Sequence, residues 1–327
     1  MQYTGNAQYL FQVVWDGTQW AALGEGGTVL TSADGVTWTT PTSTSTPPLT
    51  DVAWNGAQWV AVGGDGTILT SPDAVTWIRP TNAATRYLLR MAWNGAQWVA
   101  VGQQGTVLTD PEGVWTSPTS GTAAFLSGVG WDGAQWVAVG YKGMGTILTS
   151  LDAVTWIQPE SGIPPLTDVE WNGAQWVAVG GNGNILTSLD ALNWTPQETD
   201  TAETPFGVAS DGAQWVAVGE TGTILTSPDA VNWDTQPSAT AMSLRGVAWN
   251  GAHWLAIGSN GAIVTSPDGI TWTSQSGTTK ELYGVAWNGD QWVIVGEHRT
   301  ILTSPDGITW TPRNNGTTQF PESPPPD

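Results

Sequence analysis

Seven aspartates recur in the phrase Ser-x-Asp-x-x-(Thr/Asn)-Trp: Asp34, Asp73, Asp152, Asp190, Asp229, Asp268 and Asp306. Carboxylates at so regular a spacing could act as general acids or as calcium ligands. Calcium takes about 6–8 oxygens, commonly from a dense run such as D-x-D-x-D-G. Here each Asp stands alone among Ser, Pro, Ala and Gly, so its expected work is to accept backbone N–H bonds inside a turn. The same holds for Asn55, Asn94, Asn172, Asn250 and Asn288, each followed by Gly. His253 and His298 are the only histidines and Cys is absent. That excludes a multi-His zinc site, thiolate–metal sites, disulfides and a Cys nucleophile, and leaves the redox compartment undetermined. No Ser/His/Asp triad, P-loop or dinucleotide fingerprint appears, and Gly63-Gly64-Asp65-Gly66 reads as hairpin punctuation. No catalytic residue, metal ligand or cofactor is therefore expected.

The 23 Trp residues are the other candidates, because indole faces stack on sugar rings. They all fall in three repeated slots, and a residue needed in every repeat is more simply a wedge of the core. A lectin with inter-blade pockets is the alternative. Charge limits the partners further. Lys and Arg number 8 against 28 Asp and Glu, a net charge of −20. Such a chain repels polyanions, so neither nucleic acid nor anionic lipid is an expected partner. No apolar run reaches the roughly 20 residues of a membrane span, and residues 1–6 lack a signal-like pattern, so no direct membrane insertion is expected.

The elements that position these residues come from an internal repeat. A Trp-(Asn/Asp)-Gly-x-(Gln/His)-Trp phrase begins at Trp15, Trp54, Trp93, Trp131, Trp171, Trp249 and Trp287, with Ser210 in the sixth slot, at spacings of 38–40 residues. The Asp phrase follows each, in degenerate form at Asp110-Pro-Glu-Gly-Val-Trp115. Each unit reads as four short strands, as in 49–54, 58–62, 67–70 and from 76 onward, separated by turn residues. Trp54 and Trp59 face each other if the intervening loop has four residues, whereas a two-residue Asn-Gly turn sets Trp59 opposite Val52. Four antiparallel strands in about 39 residues match one propeller blade. The expectation is an all-β, closed eight-bladed β-propeller, with an open array as the rival. The units are 9–47, 48–86, 87–124, 125–164, 165–203, 204–242, 243–280 and 281–318. A lead, 1–8, precedes them; its residues 2–5 are a candidate closing strand. The Pro-rich tail, 319–327, reads as an extended linker or docking strap.

The phrase Ser304-Pro-Asp-Gly-Ile-Thr-Trp310 resembles the Asp-box, or bacterial neuraminidase repeat, with one residue fewer between Asp and aromatic. The Gly-Thr-Ile-Leu-Thr-Ser and Val-Ala-Val-Gly phrases resemble propellers of the photosystem II assembly-factor-like type. The resemblance implies a box in the hairpin between the third and fourth strands of each blade. It also implies a choice among sialidases, assembly factors, lectins and surface proteins. Sialidase chemistry in that superfamily needs three Arg on a carboxylate, a Tyr/Glu pair and an acidic Asp. The six Arg here are scattered, and Tyr87 and Tyr283 have no acidic partner placed by sequence. Glycoside hydrolysis is the weakest reading.

The units differ chiefly in the fourth-to-first-strand connections and in the second-to-third-strand loops, which in propeller geometry share one face. That face carries most of the cations. The expected function is a non-catalytic interaction or structural module, exposed on a cell, extracellular filament or virion surface. It would dock a protein or glycan through this face, as a component of a larger assembly. The candidate residues on that face and at the mouth of the central channel are Arg79, Arg86, Tyr87, Arg90, Tyr141, Lys142, Asp168, Glu170, Phe206, Arg245, Tyr283, His298 and Arg299. The opposite face, built of repeated turns, reads as uniform.

Overall fold

The structure is a computed structural model that describes residues 8–41, 47–80, 85–110, 113–159 and 162–314. The candidate closing strand and the Pro-rich tail lie outside them. Eight antiparallel sheets follow one another along the chain, each a meander in sequence order. Their first strands are Leu10–Trp15, Leu49–Trp54, Leu88–Trp93, Phe125–Trp131, Leu166–Trp171, Pro205–Ser210, Leu244–Trp249 and Leu282–Trp287. Each packs beside the next, and the eighth packs beside the first. The core is accordingly a set of clusters between sheets: Val293, Val295 and Ile301 of the last unit share one with Leu10, Trp20 and Trp38 of the first. No sheet closes on itself; side-chain packing and a few hydrogen bonds join the ends.

The four-residue loop is the one adopted. Trp54 pairs with Trp59, and the same register recurs in every unit. The Asn55 side chain accepts the N–H groups of Ala57 and Gln58 at 2.9 and 2.7 Å, which closes the loop. The second Trp of each pair is fully buried and the Trp of the Asp phrase nearly so, which fits the core-wedge expectation. The Asp side chains do what an Asx-turn residue does. Asp152 Oδ1 accepts the N–H groups of Val154 and Thr155 at 2.8 and 2.7 Å and the Ser150 hydroxyl at 3.0 Å. Those donors hold the Asp152 carboxyl at about 2.

The expectation of four strands per unit is corrected. Units five to eight have a fourth strand, whereas units one to four keep only a single bridge, such as Thr70↔Ile78. The third residue after the Trp decides it. In units five to eight it is Gln197, Gln236, Gln275 or Arg313, and the backbone N–H of Gln236 reaches the Ile224 carbonyl at 2.9 Å. In units one to four it is Pro41, Pro80, Pro118 or Pro159. Proline has no N–H to donate, so the ladder stops one residue short.

Candidate functional site

Every first strand contains a bulge at the same place. Leu49 pairs with Gly63 and Asp51 with Val62, so Thr50 is left over; the equivalents are Phe11, Leu89, Ser127, Thr167, Phe206, Arg245 and Tyr283. A bulge re-aims the extra side chain. It also brings the preceding carbonyl against the second strand, where each unit has Gly. A Cβ on Gly63 would lie 2.0 Å from the Pro48 oxygen, and one on Gly219 would lie 2.2 Å from the Thr204 oxygen. The Gly in each second strand is thus what permits the bulge.

Six bulge residues converge on one cavity of about 380 Å³, lined by Phe11, Thr50, Tyr87, Leu89, Arg90, Phe206, Arg245 and Tyr283. Units one, two, three, six, seven and eight all contribute. The wall between the last and first units is aromatic. Phe11 meets Tyr283 edge-on at 5.7 Å, Tyr9 meets it at 6.0 Å, and the Arg245 guanidinium lies over the Tyr283 ring at 5.5 Å. Arg245 is itself held by Glu281 at 3.0 Å. Burial, which Arg245 opposes, pushes the Tyr283 hydroxyl up to about 12.

Where the residue after the bulge is Asp, its carboxylate links the first strand to that of the next unit. Asp51 Oδ1 accepts the N–H of Val52 at 3.0 Å, and its Oδ2 accepts the N–H of Met91 in the next unit at 2.9 Å. Asp168 repeats this with Val169 at 2.9 Å and Val208 at 3.1 Å. Burial raises both carboxyls, and the Arg90 charge opposes it in each case. The Glu170 side chain is solvent-exposed, two residues along the strand from Asp168, with its carboxyl set near surrounding protein atoms. Burial and then the Asp168 carboxylate push it up to about 8.

Of the candidates from sequence, the cavity unites Tyr87, Arg90, Phe206, Arg245 and Tyr283. Asp168 links two units, with Glu170 beside it. The others stand apart. Arg79 and Arg86 are exposed in the connection between units two and three. Tyr141 and Lys142 lie on the long hairpin of unit four, where Tyr141 packs on Phe125 at 5.3 Å. Arg299 serves the junction of the first and last units: its N–H donates to the Gln8 carbonyl at 2.8 Å, and its guanidinium approaches the Thr28 hydroxyl at 3.4 Å. His298 lies 3.7 Å from Glu297. Sequence reasoning did not single out Thr50. Its hydroxyl donates to the Val62 and Leu88 carbonyls at 3.1 and 2.8 Å, and the signal was Ser or Thr in that slot again at Ser127 and Thr167. Among the described residues no group of His, Asp and Glu side chains is arranged to hold a metal ion, and no helix is long and apolar enough to cross a membrane.

Solved structures share this arrangement. The fold is a β-propeller. YCF48 bound to a D1 peptide superposes with a TM-score of 0.61 at 17% identity, over 80% of this chain and 91% of that one. The C-terminal WD40 domain of Sif2 gives 0.68 at 11% identity, over 88% and 94%. The computationally designed Ika8 protein gives 0.76 at 10% identity, over 90% and 96%. No family model and no curated protein matches the sequence. At these identities the likeness is one of fold.

Proposed function

We propose that the chain is a closed eight-bladed propeller of the Asp-box type, acting as a non-catalytic docking module for a polypeptide partner. The site is the cavity of bulge residues. The observation that carries this reading is the convergence of Phe11, Leu89, Phe206 and Tyr283 with Arg90 and Arg245 in one cavity. Aromatic anchors beside guanidinium groups are the composition of interface hot spots. Two guanidinium groups among aromatics suit a segment offering apolar side chains with a carboxylate or carbonyl between them. The propeller bound to a D1 peptide supports a protein partner for this fold. Hydrolysis is not part of the proposal: Tyr283 at about 12 is a poor nucleophile, and Glu281 is engaged with Arg245.

The test is selection of peptides from a random display library on the intact chain. Enriched peptides should lose at least about tenfold in affinity for Arg90→Ala and for Phe206→Ala, the latter with the thermal transition nearly unchanged. Peptides that ignore both substitutions would move the site elsewhere. Glycan-array binding abolished by the same substitutions would assign the cavity to sugars.

A further inference from the structure

The turn face is not uniform. In the slot before the turn Asp, units two, six, seven and eight have Pro72, Pro228, Pro267 and Pro305, and unit one has Ala33. Units four and five have Leu151 and Leu189, exposed by 76% and 77%. A Leu there gives up the preset turn that Pro supplies and places an aliphatic side chain in water. The two leucines are not scattered. Leu151 and Leu192 line a cavity of about 420 Å³ between units four and five, with Ile157 and Gln135. Leu189 and Val231 line its counterpart between units five and six, also about 420 Å³, with Gln175. The two cavities lie one unit apart and meet at the unit-five turn, whose Leu192 lines one and Leu189 the other; each sets aliphatic side chains among Thr, Ser, Gln and Asp, the second with more polar groups than the first.

Charge decides what fits it. The turns of this face hold Asp in unit after unit and none of the chain's 8 Lys and Arg residues. Asp152 and Asp190 border the two cavities themselves and stay ionised, each held at about 2 by turn N–H groups and, for Asp190, the Asn193 amide. An anionic lipid surface or polyanion is repelled, and a second copy would bring a like-charged face against this one. We infer that the patch of Leu151, Leu189 and their neighbours is a second docking surface, taking a polypeptide segment whose aliphatic side chains are flanked by Lys or Arg. The aliphatic side chains fill the cavities and the cations meet the turn carboxylates.

The experiment uses the full chain and a synthetic amphipathic Leu/Lys peptide, with Leu/Glu and Ser/Lys peptides as controls. Binding is read by titration calorimetry, and oligomeric state by sedimentation. The Leu/Lys peptide should bind and weaken with added salt, and both controls should bind at least about tenfold more weakly. The double variant Leu151→Ser, Leu189→Ser should lose at least about tenfold for Leu/Lys while keeping the wild-type thermal transition. Equal binding by Leu/Glu, binding untouched by the double variant, or no binding at all would each overturn the assignment. Self-association of the wild type that the double variant abolishes would give the patch to a second copy instead.

Discussion

At the scale of single residues, two positions carry sharp consequences. Gly219 lies where the sixth bulge brings the Thr204 carbonyl, and a Cβ there would be 2.2 Å from that oxygen. Since the obstacle is backbone, relief requires moving the bulge that presents Phe206. Gly219→Ala should cost about 1–3 kcal/mol in denaturant unfolding and should also weaken peptide binding. Gly173→Ala is the contrast: it meets no neighbour within 4 Å but has φ +95°, so it should cost stability without touching binding. Glu170 is the second position. Its carboxyl titrates at about 8 in the folded chain against an ordinary 4.5, so the folded state holds the extra proton between those values. The unfolded chain binds fewer protons there, and stability falls as pH rises through that window. Glu170→Gln should flatten the dependence of the thermal midpoint between pH 4.5 and pH 8 and raise the midpoint above it. An unchanged slope would place the burden on another group. The turn aspartates run the other way, since their depressed values contribute stability that is lost as pH falls from about 4 toward 2.

At the scale of elements, the outer strand is set by one backbone donor. Gln236 gives its N–H to the Ile224 carbonyl at 2.9 Å and its side-chain amide to the Thr226 hydroxyl at 2.9 Å. Gln236→Pro removes both bonds and should cost about 1–2 kcal/mol, with loss of amide protection confined to the sixth unit. Pro80→Gln is the converse, and should lengthen the bridge at Thr70↔Ile78 into a strand, read as a newly protected amide at position 80. An unprotected amide there would show that more than the proline ends the ladder. Pro196 and Pro312 lie inside outer strands without harm, because as the second residue after Trp they face away from the third strand. This is also where the sequence was hardest to read. The repeat, the strand order and the turn role of each Asp were legible, since each rests on local pattern. The short outer strands of units one to four were overcounted, since the phase of a missing N–H emerges only with the register. The loop at Asn55 stayed open because Asn-Gly suits two turn lengths, and the Asn55 side chain settles it by capping Gln58. Phe206, Arg245 and Tyr283 were legible as varied positions in one repeated slot, and Arg90 in the slot after it. Leu151 and Leu189 were passed over because, inside a repeat, a Leu-for-Pro exchange reads as drift until exposure is known.

At the scale of the whole molecule, the question is what holds the ends together. The junction of the last and first units repeats the internal ones. Gln291 donates to the Asp34 carbonyl at 2.7 Å, as Gln19 does to Asp73 at 2.9 Å, Gln135 to Asp190 at 2.7 Å and Gln175 to Asp229 at 3.0 Å. To this the junction adds the Arg299 link to Gln8 and the shared aliphatic and Trp cluster. Sheets that bury both faces against neighbours have no independent core, since each cluster draws side chains from two units. Stability is then a sum over interfaces, and the ring adds one interface that an open array lacks. Removing the whole sixth unit, residues 204–242, would leave seven sheets that must splay further apart to meet, or else leave two apolar faces in water. The excised chain should lose its cooperative thermal transition or associate through the exposed faces, which sedimentation would register. Truncation after Asn314 keeps every described residue of the shared clusters and should leave the transition in place. A lateral probe separates closure from mere length. Gln291→Ala and Gln135→Ala remove the same bond, one at the junction and one inside the array. In a closed ring the two should destabilise alike, by about 1 kcal/mol each at an otherwise equivalent interface, read as equal falls in the thermal midpoint. In an open spiral the junction bond would not exist in solution, and Gln291→Ala alone would be silent.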